Sequence, residues 1–320
     1  MKHLLSLEKL SGPEMRAILD GVSSFKTNRA GHGRPLEGQT WALIFSKSST
    51  RTRVSFEVGL RELGANVIFL NAGDIQLGRG EPIQDTARVL GRMVHGAIIR
   101  TFAQQDVEDF ARFSGIPTIN ALTDDEHPCQ ILTDIFTFEE QRGHSITGQI
   151  VTFVGDAACN VPVSWIFAAA RLGFDLRLAS PMSYWPSPEI LRRAGADDAA
   201  QWNLDSNVRH HRMRIGAGSL ELVEDLRIAA RDADLLYTDV WISMGKESES
   251  QQRIADLSGY QIHAGIVALA KSDALVMHCL PAYRGKEIDE ATLEAHASTI
   301  FTEAENRLHT QKSILRWVTE

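Results

Sequence analysis

Five consecutive residues, Ser49-Thr50-Arg51-Thr52-Arg53, place two guanidinium groups and three hydroxyls in one short stretch. Arginine matches phosphate geometry in a bidentate way, and serine and threonine add neutral hydrogen bonds. Upstream, Trp41-Ala42-Leu43-Ile44-Phe45 is an apolar run that reads as a buried strand. Downstream, Val54, Phe56, Leu60 and Leu63 recur at helical spacing up to Gly64, a plausible C-cap. The motif therefore sits where a strand hands over to a helix. A helix N-terminus presents unpaired N–H groups and a partial positive charge, which together favour an anion. From spacing alone, Ser49 could equally be an ordinary N-cap ahead of two solvated arginines.

Other chemistry-bearing residues fall at similar junctions. Arg100-Thr101 follows the strand Ala97-Ile98-Ile99, and His127-Pro128-Cys129-Gln130 opens a helix that runs to Gly143. Asp239-Val240-Trp241-Ile242-Ser243-Met244-Gly245 is a loop after the strand Leu235–Thr238, and His278-Cys279-Leu280-Pro281 follows the strand Ala274–Met277. Taken singly, each residue has a plainer role. His127 could cap a helix, Cys279 could be a buried strand-end thiol, Asp239 could cap a turn, and Arg307 could be a solvated helix arginine.

The elements between these residues alternate. In the first half, strands at 41–45, 66–70, 97–99 and 118–122 alternate with helical patterns, preceded by an amphipathic helix over Leu7–Phe25. Residues 71–82 are polar and carry Gly73, Gly78 and Gly80, the composition of a long functional loop. In the second half, strands are expected at 149–155, 175–179, 235–238 and 274–277, with helices at 162–172, 219–230 and 306–318. The 197–218 stretch gives no clear pattern; its Arg209-His210-His211-Arg212 reads as a solvated basic face, because adjacent histidines lack the i,i+4 spacing of a helical metal pair. Strands separated by helices imply parallel sheets with helices on both faces. The break near Gly143–Gly148 divides the chain into an α/β pair of doubly wound parallel-sheet domains, 1–143 and 144–299. Ligands in such sheets sit beyond the C-terminal ends of the strands. Gly155-Asp156-Ala157-Ala158 follows a strand without the GxGxxG fingerprint, so dinucleotide binding is weakly supported.

Composition sets the setting. The chain has 320 residues, 43% hydrophobic and 23% charged, enough for a core in each of two domains. A net charge of −8 argues against nucleic acid and anionic membranes, so any anion site must be a local positive pocket. Three scattered cysteines, Cys129, Cys159 and Cys279, form neither a disulfide framework nor a CxxC metal site, which points to a reducing cytoplasm. The first residues are too soon charged for a signal peptide, and no apolar run nears the roughly 20 residues of a membrane span.

The motifs together resemble the carbamoyltransferases. Ser49–Arg53, Arg100-Thr101, His127-Pro128-Cys129-Gln130, Asp239–Gly245 and His278-Cys279-Leu280-Pro281 occur in the family's order and spacing over nearly the whole chain. Asp239–Gly245, His278–Pro281, Gln76-Leu77-Gly78 and Glu303-Ala304-Glu305-Asn306-Arg307 are similar to the ornithine branch. The resemblance implies transfer of the carbamoyl group of carbamoyl phosphate to L-ornithine, giving L-citrulline and phosphate, most often in arginine biosynthesis. It implies a homotrimer with sites at subunit interfaces, no metal and no organic cofactor. It also implies a site in the cleft between two domains linked by helices, with the final helix, about 300–320, packing back on the first domain.

Site roles follow from the resemblance, residue by residue. Ser49, Thr50, Arg51 and Thr52 would hold the phosphate, with Arg307 adding positive charge and Gln76 reaching in from a neighbouring subunit. Arg100 and His127 would polarise the carbonyl. Gln130 and the Leu280 carbonyl would orient the carbamoyl NH2, with Pro128, Cys129 and Cys279 also lining the carbamoyl phosphate site. Cys279 would lie near the attacking amine, Asp239 would bind the α-ammonium, Asn160 the α-carboxylate, and Ser243 and Met244 would close over the substrate. Arg51, Arg100, His127 and Cys279 are the expected catalytic residues. At one place the chain departs from its branch: Gly155-Asp156-Ala157-Ala158-Cys159-Asn160 stands where Gly-Asp-Gly-Asn-Asn is usual, one residue longer and with two polar positions lost.

Overall fold

The computed structural model describes residues 1–71, 73, 80–197, 209–242, 245 and 247–320. The chain divides into two units, Met1–Phe136 with Glu305–Glu320, and Thr137–Ala304.

In the first unit, α1 (Gly12–Thr27) starts at a capping box: the Ser11 hydroxyl accepts from the Glu14 N–H, and the Glu14 carboxylate accepts from the Ser11 N–H at 2.9 Å. Then come β1 (Thr40–Phe45), α2 (Thr50–Glu62), β2 (Asn66–Asn71), α3 (Ile83–Leu90), β3 (Gly96–Arg100), α4 (Gln104–Ser114), β4 (Thr118–Leu122) and α5 (Pro128–Arg142). The strands form one parallel sheet in the order β2-β1-β3-β4. β3 and β4 are buried along their whole length, as expected of strands covered on both faces. Ala42, Ile44 and Ile99 of the sheet pack with Ala87, Val107 and Phe110 of α3 and α4.

The second unit contains β5 (Ile150–Val154), α6 (Asn160–Leu172), β6 (Asp175–Ala179), α7 (Pro188–Arg193), β7 (His210–Ile215), β8 (Gly218–Val223), α8 (Leu226–Ala230), β9 (Leu235–Thr238), α9 (Ser250–Leu257), α10 (Ala264–Val267), β10 (Leu275–His278) and α11 (Glu290–Ala295). The last helix, α12 (Ala297–Thr319), begins here and continues into the first unit, as α5 does in the opposite direction. The sheet order is β10-β9-β5-β6-β8-β7. Among the described residues no helix is long and apolar enough to cross a membrane.

Two expectations are corrected. Residues 219–230 are not one helix: they form β8 and then the short α8, which starts at Asp225 as N-cap. The alternation in Ser219-Leu220-Glu221-Leu222 buries Leu220 and Leu222, a period of two rather than 3.6. The basic stretch supplies β7, which runs antiparallel to β8 at the sheet edge. Gly216, at φ +49, makes the two-residue reversal between them. Its basic residues are paired: Arg209 with Glu224 at 2.9 Å and His210 with Glu221 at 2.8 Å.

Parallel register is what gathers the chemistry. In the first sheet Phe45 aligns with both Asn71 and Arg100, so the residues after β1 leave the same edge that Arg100 occupies. The pairing of β3 with β4 slips at Ile99–Arg100, with Ile99 opposite Asn120 and Arg100 opposite Leu122, an irregularity of the kind that re-aims a side chain. In the second sheet Thr238 aligns with Val154 and His278, so Asp156, Asp239 and Cys279 emerge together.

Close packing of α3 and α4 makes a simple test of this scaffold. A Cβ on Gly91, which ends α3, would lie 1.9 Å from the Ser114 carbonyl oxygen. Gly91→Ala is expected to destabilise by about 1–3 kcal/mol, the usual range for overpacking. Thermal and urea melts check it; an unchanged midpoint would contradict the packing.

Candidate active site

The first unit assembles its set around the start of α2. Ser49 caps this helix, its hydroxyl accepting from the Thr52 N–H at 3.2 Å. Thr52 is fully buried, and its hydroxyl oxygen accepts from Arg307 Nη2 of α12 at 2.7 Å. The two motif arginines part company. Arg53 is exposed, pairs with Glu57 at 2.7 Å and lies over the Phe69 ring at 3.5 Å. Arg51 is half-buried, with its Nε enclosed and without a hydrogen-bond partner among the described residues.

Arg100, at the end of β3, and His127, just before α5, are both buried. Burial holds the His127 pKa well below its ordinary value, and Arg307 and then Arg100 push it the same way. His127 is therefore a neutral imidazole beside two guanidinium groups. A neutral imidazole can donate one N–H without adding charge. Pro128 opens α5, where its missing N–H costs nothing. The Cys129 thiol donates inward to the Asn120 carbonyl at 3.3 Å, and burial raises its pKa to about 12. The thiol is thus turned away from any ligand, and only the backbone of Cys129 could meet one. Gln130 Nε2 donates to Asp134 Oδ1 at 2.7 Å one turn along the helix.

The second unit builds a different set. Cys279 Sγ donates to Asp239 Oδ1 at 3.0 Å, and the Val240 N–H donates to the same oxygen at 2.7 Å. Burial raises the Asp239 pKa, against the opposing pull of His278 and of the Cys279 bond. A bound cation would favour the charged carboxylate. His278 Nδ1 accepts from the Leu280 N–H at 2.9 Å, so its proton sits on Nε2, facing Glu287 Oε1 at 3.2 Å. The His278 N–H donates to Glu303 Oε2 at 3.0 Å. Leu280 adopts φ 57, a left-handed conformation that costs energy and is often found at functional sites. Asn160 is the first residue of α6.

Asp239, His278 and Cys279 have ligand atoms within 4.8 Å of one another. They are hydrogen-bonded to each other's neighbours rather than aimed at one open point: the thiol serves Asp239, and both His278 nitrogens are engaged. Gln76, Ser243 and Met244 lie outside the described residues.

Sequence reading missed Lys47. Its side chain is buried at the β1–α2 junction, pairs with Asp124 and lies over the Phe102 ring at 4.4 Å. The signal was its place in Ser46-Lys47-Ser48, directly ahead of the motif. It also missed Arg253, on a helix that no sequence pattern marked.

Residues 2–140 match the family described as aspartate/ornithine carbamoyltransferase, carbamoyl-P binding domain, and residues 147–318 match its Asp/Orn binding domain. The ornithine carbamoyltransferase of Akkermansia muciniphila is 51% identical over 317 residues, 98% of this chain and 97% of that protein. That of Campylobacter fetus is 44% identical over 319 residues, 99% of this chain and 98% of that protein. Among solved structures, the anabolic ornithine carbamoyltransferase of Campylobacter jejuni superposes with a TM-score of 0.88 at 38% identity, covering 100% of this chain and 99% of that one. The Pyrococcus furiosus ornithine carbamoyltransferase gives 0.87 at 41% identity, covering 98% and 96%.

The His127 environment predicts a pH effect. Unfolded histidine takes a proton near pH 6.5, whereas folded His127 refuses it until far lower. Its share of stability is therefore complete above about pH 6.5 and is lost as pH falls below it. Urea midpoints measured between pH 7.5 and 5 are expected to fall less steeply in His127→Gln than in the wild type; parallel slopes would contradict the assignment.

Proposed function

The chain belongs to the aspartate/ornithine carbamoyltransferase family and is a carbamoyltransferase, and from that premise we propose that its acceptor is L-ornithine, the products being L-citrulline and phosphate. The observation that carries the reading is the convergence of Thr52, Arg100, His127 and Arg307, drawn from four separate stretches, in the first unit. Donors of this kind suit a small dianion with a polarisable carbonyl.

In the proposed reaction the amine nitrogen attacks the carbamoyl carbon. A C–N bond forms, the C–O bond to phosphate breaks, and the nitrogen gives up one proton, which the departing phosphate can accept. Negative charge grows on the carbonyl oxygen and on the phosphate, so fixed donors aimed at both lower the barrier. Ser49, Thr50, Arg51, Thr52 and Arg307 hold the phosphate; Arg100 and His127 polarise the carbonyl. Gln130 and the Leu280 carbonyl orient the carbamoyl NH2, and Pro128 and the Cys129 backbone line the same site. Asp239 takes the α-ammonium and Asn160 the α-carboxylate, with Cys279 near the attacking amine. Gln76, Ser243 and Met244 keep the roles the family resemblance gives them. The chemistry calls for no metal or organic cofactor.

Residues 1–143, with the last helix, hold carbamoyl phosphate in this reading, and 144–299 hold ornithine. The homotrimer is part of the proposal. It is supported by the edge strand β2, which carries exposed Ile68, and by exposed Val54 on α2; such edges invite pairing or cover. A cytoplasmic setting is supported by three free cysteines. The biosynthetic direction is supported by the anabolic description of the Campylobacter jejuni structure.

A ureido-product assay with carbamoyl phosphate against ornithine, acetylornithine, lysine, putrescine and aspartate tests the acceptor. Ornithine is expected to be preferred, because Asp239 wants a free α-ammonium; preference for any other acceptor of the panel would overturn the reading. Arg51→Ala is expected to lower kcat at least about 100-fold, the scale of a lost transition-state donor, with an unchanged circular dichroism spectrum. Substantial remaining turnover would remove Arg51 from the phosphate site.

A further inference from the structure

The Asp239–Gly245 stretch is gripped by a residue that no motif contains. Arg253, on α9, is buried, and its Nε donates to the Trp241 carbonyl oxygen at 2.8 Å. Nη2 pairs with Asp156, and Nη1 reaches Glu249 Oε2 at 3.4 Å. The guanidinium lies over the Tyr184 ring at 5.1 Å, and the Tyr184 hydroxyl donates to Asp256 at 3.0 Å. Asp156 in turn accepts from the Ala158 N–H at 2.9 Å through its other oxygen. One side chain thus ties two loops. One leaves β5 and leads to Asn160; the other leaves β9 and carries Asp239. The strand ends themselves are joined by the Thr238 hydroxyl, which donates to the Val154 carbonyl at 2.7 Å.

The pairing is a strong one. Both side chains are only 8% exposed, so water hardly competes for either charge. Burial works against the Arg253 charge, and Asp156, with Tyr184 and Cys159, turns the balance in its favour. Trp241, whose carbonyl is held, packs its ring edge 3.8 Å from the place a Gly155 Cβ would occupy. Gly155 sits at φ +132, a conformation side chains rarely adopt, and the sharp exit from β5 depends on it. Only a planar fork can serve Trp241, Asp156 and Glu249 together; an ammonium is a point charge on a flexible stem.

We propose that Arg253 is a positioning residue for the amine substrate, fixing the Trp241 carbonyl to Asp156 so that Asp239 and Asn160 present their polar groups to the amino-acid end of ornithine. The loop carrying Asn160 is where this chain departs from the ornithine branch, with Ala157, Ala158 and Cys159 offering few polar anchors of their own. Arg253 supplies the anchoring from outside the loop. The inference rests on the ornithine reading for the identity of the amine, and on the geometry for the role of the arginine.

Arg253→Lys and Asp156→Asn test it by steady-state kinetics in both substrates, equilibrium binding of carbamoyl phosphate and thermal melts. In both variants the amine KM is expected to rise at least about tenfold, with kcat changed less and the carbamoyl phosphate dissociation constant unchanged. Lysine keeps the charge but cannot bridge, so rescue of the melting temperature without rescue of KM is the signature of positioning. An unchanged amine KM in a folded Arg253→Lys, or a loss of kcat that only tracks the folded fraction, overturns the inference. Where Arg253→Lys does not fold, Asp156→Asn decides on the same terms. The wild-type amine panel is run first. A different preferred amine overturns the ornithine reading alone, and the variants are then measured with that amine.

Discussion

Two guanidinium groups, Arg100 and Arg307, bear on one buried imidazole, and the first unit is built to keep them there. Buried cations near one another are costly unless something anchors each carrier. Arg100 is fixed by its place at the end of a central strand. Arg307 comes from the other end of the chain, so α12 must be docked firmly on the first unit. Lys312, fully buried, pairs with Glu62 of α2, and the Ser313 hydroxyl donates to the Ile18 carbonyl of α1 at 2.5 Å. Gly59 of α2 faces Leu308 and Lys312 of α12 across this docking. The Arg307–Thr52 bond ties the same helix to the start of α2.

The second unit has the opposite electrostatics. Its strand ends deliver carboxylates: Asp239 next to the Cys279 thiol, with Glu287 and Glu303 buried around His278. Burial raises the Asp239 pKa, and a cation beside the carboxylate would favour its charged form. A chain of net charge −8 thus keeps a local cluster of cationic side chains in one unit and of carboxylates in the other. Parallel register contributes to both, because it sends Arg100 in the first sheet, and Asp239 and Cys279 in the second, to one edge of their sheet.

Much of this was legible in the sequence because the signals are local. Short apolar runs handing over to helical patterns mark the parallel strands, and polar residues just past each run mark the edge where chemistry gathers. The family resemblance then supplied roles that spacing alone left open for His127, Asp239 and Cys279. What was not legible depends on partners distant in the chain. Arg51 and Arg53 look alike in sequence, yet Glu57 and the Phe69 ring draw Arg53 away. Lys47 gains its place from Asp124, and Arg253 from Asp156 and the Trp241 carbonyl. The β7–β8 hairpin was misread because Arg209–Arg212 carries no apolar period and because a capping-like Ser219 opens a strand rather than a helix.

In the proposed reaction, cations that favour the phosphate would also bear on the acceptor. A free alkylamine has a pKa of about 10.4 and is protonated at neutral pH, whereas only the neutral amine can attack. A second ammonium approaching Arg51 and Arg100 meets like charge and is driven to give up its proton. An α-ammonium held by Asp239 faces no such pressure, since the carboxylate favours its charged form. In the proposed reaction, one substrate therefore carries two amines whose protonation is split by their surroundings. The side-chain nitrogen becomes the nucleophile and the α-nitrogen stays a cation. In that proposal, fixed charge around each amine, rather than a dedicated base, would set which nitrogen can react.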